Sequence, residues 1–121
     1  MKTLYKNIKI PALKGKKTIA KASDIFTGWI DSDFKNWETD VKGKATTGTT
    51  LQVNELTENM TFNQIFQNPE KMCMTQEQIL WYVENNKDKL SNYYTFFLFK
   101  VGDEFFVAYV YVIGVGTLRA Y

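Results

Sequence analysis

Three acids near the start of the chain are the first candidates for chemistry: Asp24, Asp31 and Asp33, the last two flanking Ser32. Two carboxylates at i and i+2 are the nearest thing here to a metal pair, but paired carboxylates hold Mg²⁺ or Ca²⁺ only when further oxygens converge on the same point. Capping and solvation account for these acids more simply, so no metal or cofactor is expected. A hydrolase built on Asp24, Asp31 and Asp33 is the weakest functional reading. The chain has no histidine, which removes the commonest general base and the Ser-His and Cys-His nucleophile systems. Cys73 is the only cysteine, so no internal disulfide can form, and a reducing, cytoplasmic setting is expected. The Gly/Thr/Lys stretch VKGKATTGTT (residues 41–50) lacks the spacing of a phosphate-binding loop and reads as a connector. No catalytic residue is expected.

Binding chemistry has more support. Seven lysines and no acid occupy the first 21 residues, and Lys14, Lys16, Lys17 and Lys21 form a candidate basic arm for nucleic acid. Against that reading, the net charge is only +2, and Arg119 is the single arginine among 15 basic residues, where phosphate-reading surfaces usually lean on the guanidinium fork. The alternative is a solvated leader, flexible over residues 1–16, followed by a strand near residues 17–20. At the other end of the chain, Tyr109, Tyr111, Arg119 and Tyr121, with Lys100, are of types that suit a protein interface.

The elements that must position these groups follow from periodicity and turn signals. The 121 residues suit one domain, with 45% hydrophobic and 16% aromatic content. Residues 93–121 are mostly aromatic or β-branched and are interrupted by Gly102-Asp103 and Gly114-Val115-Gly116. This predicts a three-stranded antiparallel meander. The turns fix a register in which Val101 faces Glu104, Phe99 faces Phe106, Phe97 faces Ala108, Val112 faces Leu118, Val110 faces Ala120, Tyr111 faces Arg119 and Tyr109 faces Tyr121. One face then carries Phe97, Phe99, Val101, Phe106, Ala108, Val110, Val112, Leu118 and Ala120 and is assigned to the core. The other carries Tyr94, Phe96, Leu98, Lys100, Phe105, Val107, Tyr109, Tyr111, Arg119 and Tyr121. A helix starting at Thr75, with Thr75 and Gln78 as a capping box, carries Ile79, Leu80, Tyr82, Val83 and Leu90 on one side. It is expected to cover Phe96, Leu98, Phe105 and Val107, leaving the tyrosines free. Short helices or turns are predicted over residues 23–40 and 61–66, and a strand over 51–56. The longest near-apolar run, residues 105–115, is too short for a membrane-spanning helix, and no membrane partner is expected.

The blocks DIFTGWIDSDFKNW (residues 24–37) and TFFLFKVGDEFFVA (residues 95–108) resemble a family of small uncharacterised bacterial proteins. The resemblance brings no established activity. It implies that this chain is a shortened member whose last strand is an exposed edge, through which a homo-oligomer could form.

The reading is a single α+β domain spanning residues 1–121: an antiparallel sheet whose C-terminal meander packs against one main helix and short helices. Its expected role is a non-enzymatic protein-binding module, of the kind a small inhibitor of a larger host or phage-defence complex would be. Nucleic-acid binding through the basic arm and an aromatic sheet face is the alternative.

Overall fold

The structure is a computed structural model that describes residues 1–113 and 117–120, with residues 113 and 117–120 described by their backbone alone. Helices and antiparallel strands both occur, so the domain is α+β. In order, the elements are β1 (Lys2–Ile10), β2 (Trp29–Ile30), α1 (Asp33–Asn36), β3 (Thr49–Glu55), α2 (Phe62–Ile65), α3 (Pro69–Met72), α4 (Gln76–Asn85), β4 (Tyr94–Val101), β5 (Glu104–Ile113) and β6 (Thr117–Ala120). Single 3₁₀ turns lie at Ile19–Lys21 and Lys87–Lys89.

Two sheets result. β1 and β3 form an antiparallel pair, and the larger sheet has the order β2-β6-β5-β4. The predicted three-strand meander is thus not the whole of that sheet, because β2 joins it in parallel beside β6. This corrects the expected C-terminal edge. β6 lies inside the sheet, with Trp29 opposite Arg119 and Ile30 opposite Ala120. An oligomer built on a free β6 edge loses its basis there.

Within the larger sheet, Val101 pairs with Glu104, Phe99 with Phe106 and Phe97 with Ala108. On the other side of β5, Val112 pairs with Leu118, Tyr111 with Arg119 and Val110 with Ala120. The expected pairing of Tyr109 with Tyr121 lies outside the described residues. Gly102 sets the first hairpin. Its φ is +59° while Asp103 keeps a negative φ, as in a II′ turn whose twist matches the strands. A Cβ there would meet no heavy atom within 4 Å, so any penalty is conformational. Gly102→Val is expected to cost about 1–2 kcal/mol in urea unfolding. A parent-like midpoint would show that another residue carries the turn.

The core lies where α4 meets the face of Phe97, Phe99, Ala108 and Val110. Ile79, Leu80, Tyr82 and Val83 of α4 join that face, together with Ile19, Ala22, Ile25, Phe26 and Phe34. The Tyr82 and Phe97 rings meet edge-on, with centroids 5.6 Å apart. Burial pushes the Tyr82 phenol up to about 12, so it stays neutral and donates to the Lys89 carbonyl at 3.3 Å. The expected placement of α4 over Phe96, Leu98, Phe105 and Val107 is therefore reversed. The helix covers the core face and leaves the other sheet face to different neighbours. Both faces are apolar enough to receive a helix, and periodicity alone cannot choose between them.

The first turn of α4 has the reciprocal cap that its sequence suggests. The Gln78 N–H donates to Thr75 Oγ1 at 3.1 Å, and the Thr75 N–H donates to Gln78 Oε1 at 2.9 Å. Thr75→Ala is expected to cost about 1 kcal/mol. Amide exchange in that turn should quicken accordingly, and unchanged protection would reject the cap.

Two further differences concern the N-terminal region. Residues 2–10 of the expected flexible leader form β1, paired with β3 across a register break between Tyr5 and Ile8. Asn7, with φ at +57°, supplies the left-handed backbone in that break. The strand expected near residues 17–20 is instead the turn at Ile19–Lys21, because the Ile19 N–H donates to the side chain of Gln76 rather than to a neighbouring strand.

Candidate functional site

The sheet face left open by α4 carries a run of aromatic rings. Tyr94 and Phe96 of β4 stand opposite Tyr111 and Tyr109 of β5. Tyr94 meets Tyr111 at 5.3 Å between centroids and Tyr109 at 6.0 Å, and Phe96 meets Tyr109 edge-on at 5.0 Å. Tyr94, Phe96 and Tyr109 are 46%, 43% and 42% exposed. Cross-strand aromatic pairs of this kind stabilise the sheet and present their rings as one contiguous surface.

The named interface residues divide accordingly. Tyr109 and Tyr111 belong to the cluster. Arg119 is placed by its backbone opposite Tyr111, and Tyr121 lies outside the described residues. Lys100 sits at the far end of the face, over the Phe105 ring at 5.3 Å, and its ammonium is bonded to Glu70 of α3. That hydrogen bond holds its pKa above the ordinary lysine value. Lys100 thus joins α3 to the outer side of β4. Next to it the Met74 N–H donates to the Leu98 carbonyl at 2.8 Å, so part of the outer β4 edge is covered.

No family model, curated protein or solved structure matches this chain. Its surfaces are therefore read from their own chemistry.

The basic candidates lie elsewhere. Lys16, Lys17, Lys21 and Lys42 line a cavity of about 300 Å³, together with Asp24 and Asp40, while Lys14 is exposed and does not line it. Lys21 pairs with Asp40 at 3.6 Å. Behind these lysines, the buried Glu77 carboxylate accepts the backbone N–H groups of Gly15 and of Lys16, the latter at 3.0 Å. Gln76 accepts from Ile19 N–H at 2.9 Å and donates to the carbonyls of Thr39 at 2.8 Å and Val41 at 3.2 Å. These two side chains fix the basic segment to α4. Their polarity within an otherwise apolar helix face was the available signal.

Asp31 and Asp33 fall on a different groove. The Asp33 N–H donates to Asp31 Oδ1 at 2.9 Å, the local capping contact expected of such a pair. Among the described residues no group of three or more acids, cysteines or histidines could hold a metal ion. The groove has a volume of about 260 Å³ and is lined by both aspartates, Phe34, Trp37 and Thr39, and by Phe99, Phe106, Val107 and Tyr109 of the sheet. Phe34 is buried, but Trp37 is 64% exposed at the groove rim.

Proposed function

We propose that the domain is a non-enzymatic protein-binding module, and that the face of Tyr94, Phe96, Tyr109 and Tyr111 is where its partner sits. The observation behind this is the exposed, interlocked aromatic cluster on an ordered sheet face. Tyrosine is enriched at interface centres because it buries a large area at the loss of few rotors. Arg119 and Tyr121 are placed with this cluster by the proposal, and a reducing, cytoplasmic setting goes with it. A small inhibitor of a larger host or phage-defence complex is the kind of module that fits.

The test replaces the two β4 rings together, Tyr94→Thr with Phe96→Thr, keeping β propensity. The variant should remain folded within about 1 kcal/mol of the parent. It should also lose the proteins that the parent retains from a cell lysate. A folded variant that retains the same proteins rejects the aromatic face.

Nucleic-acid binding is the second reading, favoured by the gathering of Lys16, Lys17, Lys21 and Lys42 around one cavity. The interspersed Asp24 and Asp40 weaken it. Phosphate-driven affinity for a labelled single strand must fall steeply as salt is raised. Absence of binding at low salt would remove this reading.

A further inference from the structure

Two polar side chains in the first turn of α4, Gln76 and Glu77, are buried beyond what capping requires. Burying such groups costs free energy unless they are hydrogen-bonded, and here the bonds go to main chain that carries lysines. Glu77 accepts the N–H groups of Gly15 and Lys16. Gln76 bonds Ile19 on the same segment, and Thr39 and Val41 on a second one. A backbone bridge between Leu13 and Thr46 ties the two segments to each other. Gly15, with φ at +74°, lets them touch, since a Cβ there would collide with the Lys44 carbonyl. Both segments are thus fastened to α4 and to one another, and the cavity of about 300 Å³ is lined by residues of both.

The lining of that cavity divides by chemistry. Ala22, Ile25 and Leu80 supply its apolar part. Four lysines stand against two aspartates, so the lining carries a formal excess of two positive charges, as much as the whole chain. Lys21 and Asp40 pair with each other, and Asp40 also accepts from Thr18 Oγ1 at 2.5 Å. Lys16, Lys17 and Lys42 form no ion pair with a described residue, and neither does Asp24. Three like charges gathered around one cavity repel one another, and a doubly charged anion among them offsets that repulsion. Asp24 is left as an acceptor, suited to a hydroxyl on the same ligand.

We infer that this cavity binds a small sugar phosphate monoester, either the sugar phosphate itself or a nucleoside monophosphate. A phosphate monoester carries about −1.5 to −2 charges at pH 7, which matches the excess of the lining. Lys16, Lys17 and Lys42 hold the phosphoryl oxygens as point charges, Asp24 accepts from a sugar hydroxyl, and Ile25 and Leu80 pack on the carbon skeleton. Small-molecule pockets run from about 300 to 1,000 Å³, and this one is at the lower limit, so the ligand is no larger than a mononucleotide. The site is separate from the aromatic face and does not rest on the protein-binding reading. It shares lysines with the nucleic-acid reading but selects a monoester, whereas each internal linkage of a strand is a diester with a single charge.

The probes are ribose 5-phosphate and adenosine 5′-monophosphate, followed by equilibrium dialysis with the full chain. Saturable binding is expected, and comparison of the two shows whether a base adds affinity. The methyl ester of adenosine 5′-monophosphate keeps one charge and should bind about tenfold or more weakly. Affinity for the monoesters should also fall below about pH 6, where the ester takes up a proton. Inorganic phosphate should bind less tightly than ribose 5-phosphate, and Asp24→Asn should narrow that difference. Lys17→Gln with Lys42→Gln should weaken both monoesters by about tenfold or more while leaving the urea midpoint unchanged, since neither lysine has an ion-pair partner in the fold. Tyr94→Thr with Phe96→Thr should leave nucleotide affinity unchanged, which separates a failure of the cavity from a failure of the aromatic face. Failure of both monoesters to bind overturns the proposal, and so does equal affinity for the methyl ester. Parent-like affinity in a folded Lys17→Gln, Lys42→Gln variant also overturns it. So does a single strand without terminal phosphate that displaces the monoester and binds more tightly, since the lysines would then follow diesters.

Discussion

Phe99→Ala is expected to lower the stability of this domain by about 3–5 kcal/mol, through lost transfer energy and the cavity that remains. Phe99 is 1% exposed, its ring stacks on Phe106 at 5.6 Å, and it belongs to the cluster that α4 covers. The site cannot easily collapse. The strand is held on one side by the β4–β5 ladder, and its backbone forms a parallel bridge to Met74 on the other. A loss of this size is a large share of the 5–15 kcal/mol typical of a whole domain. Urea unfolding followed by tryptophan fluorescence measures it, with Phe96→Ala as the comparison on the open face. That second variant should lose much less, because Phe96 is 43% exposed. If the two losses were equal, or reversed in order, the core would lie on the other face of the sheet.

The C-terminal pairing is legible in the sequence for a definite reason. A two-residue turn at Gly102 leaves no freedom of register, and period-2 alternation then assigns every side chain to a face. The N-terminal strand is not legible. Lysines are interspersed along it, and the bulge at Asn7 brings Tyr5 onto the same face as Ile8 and Ile10, opposite Val53, Leu51 and Thr49, which an unbroken period of two does not show. The turn at Ile19–Lys21 reads as a strand because Thr18 and Ile19 are β-branched, yet hydrogen bonds donated to the distant side chains of Asp40 and Gln76 decide its conformation. The aromatic cluster is only half legible. Tyr109 and Tyr111 stand out by type, while Tyr94 and Phe96 are assigned to the right face, though Phe96 is expected under a helix. The groove at Asp31 and Asp33 is not legible at all. It exists because β2 inserts in parallel beside β6, and no local pattern encodes that long-range pairing.

The second large effect is expected at Gln76, where the sequence shows only a polar residue in the first turn of a helix. Its buried amide connects three segments, accepting from Ile19 and donating to Thr39 and Val41. Gln76→Ala suits the helix, since alanine is the best helix former, so the loss is not one of propensity. The variant instead leaves the buried Ile19 N–H without its acceptor, while the Thr39 carbonyl keeps the Val41 N–H at 2.8 Å. A buried donor orphaned in this way costs about 1–3 kcal/mol, and a loss of that size is expected. The loss should be local as well as global. Amide exchange at Ile19 should accelerate more than exchange in β4 and β5, because the segment bearing the lysines is fastened to α4 by Gln76 and Glu77. The same variant bears on the nucleic-acid reading. If Lys16, Lys17 and Lys21 act as a preformed site, releasing their backbone should weaken any single-strand binding without altering net charge. Parent-like stability together with unchanged protection at Ile19 would mean that the three hydrogen bonds do not hold this segment in place.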